Sequence, residues 1–172
     1  MELAIKEGLP SKGGNALEQD VKRAVIFPDY YPSIAFPSGG TFLSPAGDLR
    51  IPIETVNIEE ITLNLWRLYE NNIPVSMAMT NYSIPRDLAR RVATRTARPE
   101  GNLNETVRRA IDLRELAGGA KGVFLLTASE SSGDYWADTE QLVAVTDLGI
   151  VARVWANGIT VWVNSILGIE PD

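Results

Sequence analysis

Four runs rich in β-branched and aromatic residues dominate residues 120–167, and turn residues separate them. The runs are Gly122–Ala128, Gln141–Val145, Gly149–Trp155 and Ile159–Val163. None of them has the 3.6-residue period of an amphipathic helix, and apolar and polar positions alternate as in half-buried strands. This part of the chain is therefore predicted to form antiparallel β-structure.

The last two runs are joined by Ala156-Asn157-Gly158. Asn-Gly supplies the two positive φ angles of a type I′ turn, so the sequence predicts a hairpin closed by that turn. Trp155 and Trp162 flank the turn, and we expect them to be cross-strand neighbours.

Shorter alternating segments precede this region, and glycine, proline and other turn residues separate them. Ile61–Tyr69 has the clearest pattern, with Ile61, Leu63 and Leu65 facing one way. The other segments are Leu3–Lys6, Val21–Phe27, Ser33–Phe36, Thr41–Leu43, Leu49–Glu54 and Thr106–Leu113. Short strands of this kind, each with one buried and one solvent-exposed face, predict a mainly β fold, an antiparallel β-sandwich of the fibronectin-III-like kind.

One helix is predicted within this β pattern, over Ile84–Arg95. Ser83 is a suitable N-cap, Pro85 suits the first turn, and Ile84, Leu88 and Val92 recur every four residues. The helix carries an arginine cluster: Arg86, Arg90, Arg91 and Arg95. The cluster is either an interdomain contact for an acidic neighbour or the solvated face of an amphipathic helix.

Composition removes several function classes. The 172 residues include no histidine and no cysteine, which excludes Ser-His-Asp and Cys-His catalysis and metal sites built from imidazole or thiolate ligands. The formal net charge of −6 argues against a nucleic-acid partner. No apolar run approaches the ~20 residues that cross a bilayer, so no membrane-spanning segment is predicted.

Carboxylates are the remaining candidates for chemistry. Glu59 and Glu60 are adjacent and would face opposite ways on a strand, and Asp112 and Glu115 flank a turn. An acidic loop could offer oxygen ligands to Ca²⁺, although its spacing favours a solvated hairpin tip; its acids are Glu130, Asp134, Asp138 and Glu140. We predict no catalytic residue, no metal site and no cofactor.

Three stretches, in order, resemble the bacterial alpha-2-macroglobulins, envelope proteins that trap proteases and are built from macroglobulin-like β-sandwich domains. They are Gly8–Ser11 with Val25–Phe36, then Leu49–Tyr69, then Ile111–Leu113 with Gly122–Ala128, Val145–Ile150 and the Asn157-Gly158 hairpin. The predicted helix, with its run to Arg98, departs from the family pattern. The thioester cysteine of the family is also absent, so no inhibitory chemistry is carried onto any residue of this chain.

The resemblance implies an organisation and a role. Residues 1–29 would finish one macroglobulin-like domain, residues 30–147 would form a complete one, and residues 148–172 would be the first hairpin of the next. The partners implied are the neighbouring domains of the same chain and, through the full-length protein, target proteases. The implied location is the periplasm or cell envelope, with an export or lipid signal expected upstream.

Two other functions stay open at this point. The tryptophans at 66, 136, 155 and 162 could form a platform for sugar rings, as in an immunoglobulin-like carbohydrate-binding or adhesion module. A glycosidase would need two carboxylates that converge from distant positions of the chain.

Overall fold

The structure is a computed structural model, and it describes residues 2–38, 42–78, 86–131 and 137–167. Twelve strands and two short α-helices lie within these ranges. The predicted cap Ser83, the helix residues Ile84 and Pro85, Thr41, the loop acid Asp134 and Trp136 lie outside them. No helix in the described ranges is long and apolar enough to cross a membrane.

The elements follow one another in a mainly β order. The strands are β1 (Glu2–Ile5), β2 (Val21–Ala24), β3 (Ser33–Ala35), β4 (Phe42–Leu43), β5 (Arg50–Val56), β6 (Ile61–Leu68), β7 (Ala89–Ala97), β8 (Thr106–Asp112), β9 (Gly122–Glu130), β10 (Asp138–Val145), β11 (Leu148–Trp155) and β12 (Gly158–Ser165). The helices are α1 (Ile73–Ala78) and α2 (Leu113–Ala117). The chain divides into two compact units, Met1–Tyr30 and Tyr31–Asp172.

The first unit is an antiparallel pair of strands, β1 and β2, in register from Glu2 opposite Ala24 to Ile5 opposite Val21. Its long connection is held by backbone hydrogen bonds between Gly8 and Leu17 and between Leu17 and Leu9. Lys6 Nζ also donates to Asp20 Oδ2 over 2.6 Å. That hydrogen bond is the main reason why the pKa of the Asp20 carboxyl lies below its usual value.

The second unit contains a sandwich of two sheets. Five strands form one sheet in the order β4-β10-β9-β6-β7, and three form the other in the order β3-β5-β8. Every pairing is antiparallel except that of β4 with β10, which is parallel. The antiparallel β-sandwich predicted from the alternating segments is confirmed.

The core lies between these two sheets. The first sheet contributes Ile61, Leu63, Leu65, Phe124, Leu126, Ala128, Val143 and Val145, and the second contributes Ile34, Ile51, Ile53 and Ile111. These residues occupy alternate positions of their strands, which is how one face of a strand is buried. A smaller cluster covers the outer face of the five-stranded sheet, where Leu68, Ala89 and Leu125 pack with Ile73 of α1.

The helix predicted over Ile84–Arg95 is wrong. In the described part of this segment, Arg86–Leu88 form a 3-10 turn, and Ala89 begins β7, which pairs with β6 from Leu68 opposite Ala89 to Ile61 opposite Ala97. The register shifts at Leu65/Trp66 and leaves Val92 without a residue opposite it. This bulge interrupts the two-residue alternation of β7, so the segment lacks the regular pattern of a strand. The apolar strand β6 needs a partner on this edge, and that pairing outweighs local helix propensity.

The hairpin of β11 and β12 forms as predicted, but its turn differs. Trp155 lies opposite Gly158, so the loop consists of Ala156 and Asn157. Neither Asn157 nor Gly158 has a positive φ, and the type I′ assignment is therefore wrong. The expected tryptophan pair is also wrong, because Trp162 lies opposite Val151.

Helix α2 follows β8 without a break, and its ends are capped by local sequence. The Asp112 side chain accepts a 2.8 Å hydrogen bond from the Arg114 backbone N–H at the helix start. Gly118 ends the helix with a φ of 63°, a left-handed conformation that suits glycine.

Candidate functional site

The candidate catalytic carboxylates have structural roles. Glu60 Oε2 accepts from Arg98 Nε at 3.1 Å, Glu115 forms an ion pair with Arg95, and Asp112 caps α2. Glu59 is exposed. Within the described ranges, no group of three or more acidic side chains is arranged to hold a metal ion.

The structure places the arginine cluster on a sheet edge. Arg90, Arg91 and Arg95 belong to β7, which ends the five-stranded sheet, and Arg86 begins the 3-10 turn before it. The Arg91 guanidinium lies 5.6 Å from the centroid of the Trp66 ring, a cation–π contact on the outer face. The four arginines therefore do not form one helical face.

Two edge strands border a groove on the open side of the sandwich. The groove has a volume of about 400 Å³ and lies between β7 and β8. Its floor is apolar and is formed by Ile53, Ile61, Leu63 and Ile111. We call this feature the β7–β8 groove, and its charged lining residues are Arg95, Arg98, Arg109, Asp112 and Glu115.

Two of these arginines stand at inward-facing positions. The register puts Arg95 opposite the buried Leu63 and Arg109 opposite the buried Ile53. The sequence carried a signal for Arg109, because it falls in phase with Val107 and Ile111 in the alternation of β8. The sequence did not identify Arg109 as a groove residue, because only the sheet order shows that β8 lies at an edge. At an edge, a long polar side chain can reach water.

The hairpin of β11 and β12 presents an exposed apolar face. Leu148, Ile150 and Val154 of β11 share this face with Ile159, Val161 and Val163 of β12. Each of these six side chains is more than half exposed. A face of this size and composition is typical of a surface that another part of a protein covers.

The tryptophans do not form a single platform. Trp66 lies on the outer face of the five-stranded sheet, whereas Trp155 and Trp162 belong to the hairpin. Arg153 and Thr160 occupy the position between the two hairpin tryptophans, and the Arg153 guanidinium stacks 3.7 Å from the centroid of the Trp155 ring. One face of Trp155 is thus already occupied.

Asp147 links the hairpin to the sandwich. Its side chain accepts a 2.6 Å hydrogen bond from Lys121 Nζ, and its backbone carbonyl accepts from Ile166 N–H at 2.7 Å. The hydrogen bond from Lys121 is the largest reason why the pKa of the Asp147 carboxyl lies below its usual value, with a smaller lowering by Ser165.

Comparison with known proteins finds a related sequence that matches most of this chain. The chain is 27% identical over 180 residues to the alpha-2-macroglobulin homolog of Yersinia pestis. The match covers 88% of this chain but only 9% of that protein. The resemblance to the bacterial alpha-2-macroglobulins is confirmed. No protein-family model matches the chain.

Solved structures agree with this resemblance at the level of the fold. A crystal structure of native Escherichia coli alpha-2-macroglobulin spanning domains MG0-NIE-MG1 matches 96% of this chain and 56% of that fragment, with a TM-score of 0.69 and 19% identity. A Salmonella alpha-2-macroglobulin variant, Y1175G, matches 96% of this chain and 10% of its own length, with a TM-score of 0.68 and 17% identity. The sandwich is therefore similar to the domains of bacterial alpha-2-macroglobulins.

Proposed function

We propose that this chain is a structural segment of a bacterial alpha-2-macroglobulin that helps to build a protease trap of the cell envelope. Its task in that protein is to hold neighbouring domains in place, and it carries no reacting group. The exposed apolar face of the hairpin is the observation that carries the proposal, because a strand pair with such a face is stable only when further structure packs on it.

The proposal includes a division into three parts. Residues 1–29 end a preceding domain, residues 30–147 form a complete sandwich, and residues 148–172 begin the next domain. The division of the chain into the compact units Met1–Tyr30 and Tyr31–Asp172 supports the first boundary, because the two units meet next to residue 29 in the sequence.

The arginines of the predicted cluster have a place in this proposal. Arg90 and Arg91 are exposed on the edge strand β7, and no acidic partner contacts them within the described ranges. We assign them, together with Arg86 and Arg95, to the interdomain contact; Arg95 differs from the others because it faces the β7–β8 groove and is paired with Glu115. The neighbouring domains of the same chain are the direct partners, and proteases are partners of the full-length protein alone.

The proposal is tested by extending the chain. A longer product of the parent gene, continued by one domain of about 100 residues, supplies the structure that packs on the hairpin. We expect amide exchange in β11 and β12 to slow at least about tenfold in the longer product, because the apolar face becomes buried. Unchanged exchange in the hairpin would contradict the division into domains.

Protease trapping is tested on the full-length parent with this chain as the control. A trapped protease loses activity on a large protein substrate and keeps its activity on a small peptide substrate. We expect the parent to produce this difference and the 172-residue chain to have no effect on either substrate. A parent that leaves both activities unchanged would contradict the trapping function.

A further inference from the structure

The β7–β8 groove combines an apolar floor with two strands that lie at sheet edges in the part of the chain that the structure describes. Strand β7 is the last strand of its sheet and pairs with β6, and β8 is the last strand of the other sheet and pairs with β5. Helix α2 borders one end of the groove through Glu115. The groove is therefore a short slot between the Arg95–Ala97 end of β7 and residues 109–112 of β8, and a short extended peptide could add to the sheet edge there.

The charges in the groove are unequally compensated. Arg95 is paired with Glu115, and Arg98 with Glu60. Asp112, the remaining acid of the lining, accepts from the backbone of α2. Arg109 has no acidic partner within the described ranges, although it stands on the inward face beside Ile53. A guanidinium with unused donors above an apolar floor favours a carboxylate as its partner.

Charge also argues against a second copy of this chain as the occupant. Pairing two β7 edges would bring the arginines of both copies together, and their like charges would repel. The same arginines attract a strand that carries acidic side chains. Charged residues on an edge strand commonly prevent unwanted pairing. Here the arginines of β7 repel a basic strand and attract an acidic one.

We propose that the β7–β8 groove binds an extended peptide segment of a partner with alternating acidic and apolar side chains, which adds as a strand to the Arg95–Ala97 end of β7. A carboxylate of this segment pairs with Arg109, and apolar side chains rest on the floor formed by Ile53 and Leu63. This inference goes beyond the proposed function and does not rest on it, because it uses only the geometry and charge of the described residues.

The test measures the binding of a fluorescently labelled, capped peptide of alternating valine and glutamate to the 172-residue chain by anisotropy. A peptide with lysine in place of glutamate is the control ligand. We expect Arg109→Gln to weaken binding of the glutamate peptide at least about tenfold, because it removes a charge-assisted hydrogen bond. Arg108→Gln is the matched control: Arg108 is adjacent on β8, faces outward opposite Glu54 and pairs with it at 2.6 Å, and we expect less than about twofold change.

Two further measurements also test the proposal. Amide exchange at the Arg95–Ala97 end of β7 should slow when the glutamate peptide binds, because an added strand protects that edge. If Arg109→Gln does not fold, Arg109→Lys keeps the charge without the two-pronged geometry, and we expect a smaller but measurable loss of affinity.

Four outcomes would overturn the proposal. They are equal binding of the lysine peptide, equal loss in Arg108→Gln and Arg109→Gln, no change in exchange along β7, and a sedimentation dimer of the free chain that Arg109→Gln abolishes. The last result would assign the groove to a second copy.

Discussion

The sandwich and the hairpin that follows it have the same pattern of alternating apolar positions and opposite burial. In β6, Ile61, Leu63 and Leu65 are buried against the second sheet. In β11 and β12, Ile150 and Val161 occupy equivalent alternate positions and are exposed. The comparison teaches that alternation specifies which face of a strand is to be covered, and that the covering structure must come from elsewhere in the fold.

The two regions also differ in what holds them together. The sandwich has side-chain packing between two layers, whereas in the described ranges no residue of the hairpin belongs to either core cluster, and backbone pairing holds its two strands together. Two-stranded hairpins are marginal in water for this reason. Asp147 is therefore important, because it connects the hairpin to Lys121 on the sandwich side.

The largest expected difference between the regions is the cost of removing an apolar side chain. Leu126→Ala leaves a cavity at a fully buried position of β9, and we expect it to lower the free energy of unfolding by ~2–5 kcal/mol. Val163→Ala, at an exposed position of β12, should change it by less than ~0.5 kcal/mol. Urea denaturation of the two variants measures both values. Equal costs would mean that the hairpin is packed like the core.

An intermediate effect is expected at the two asparagine turns. Asn57, between β5 and β6, has a φ of 53°, and its side chain accepts a 2.6 Å hydrogen bond from Asn104 N–H. Asn57→Ala should cost ~1–2 kcal/mol, because alanine is strained in the left-handed region. Asn157→Ala, in the hairpin turn, should cost less because φ is not positive there. Thermal denaturation gives the comparison, and Asn57→Gly is the control that retains the backbone freedom.

The smallest expected effect is the loss of hairpin stability at acidic pH. The pKa of Asp147 is lowered from 3.8 mainly by the hydrogen bond from Lys121, so its contribution to stability is complete above 3.8 and is lost as the pH falls through the lowered value. Lys121→Met should reduce this dependence, because it removes the largest cause of the lowered pKa, and should speed amide exchange in β11 at neutral pH. Lys12→Met, at an exposed position in the first unit, is the matched control. Equal acid responses in the two variants would contradict a role for Asp147.

Most strands could be predicted from the sequence because their apolar positions alternate without interruption. Ile61–Tyr69 and Thr106–Leu113 differ from the observed β6 and β8 by only a residue at their ends. Strand β7 could not be predicted, because the bulge at Val92 disturbs its alternation and the edge of β6 that pairs with it is distant in the chain. The alternation of residues within a segment does not show which distant strand edge it will pair with.

The candidate surfaces could be predicted only in part. The alternation of β8 places Arg109 with apolar residues, but the groove exists because β7 and β8 end different sheets on the same side of the sandwich. The turn at Ala156-Asn157 shows the same limit. Asn-Gly indicated where the chain reverses, whereas the pairing of Trp155 with Gly158 determined which residues form the loop.

The parallel pairing of β4 with β10 has a consequence for how the protein is made. Ala144 and Val145 pair with Phe42 and Leu43, so the first and last strands of the five-stranded sheet to be synthesised are neighbours. A nascent chain that stops before β10 leaves β4 without a partner and one edge of β9 open. The five-stranded sheet can therefore be completed only after Val145 has left the ribosome. Until then, the roughly hundred residues made between β4 and β10 lack the last strand of their sheet.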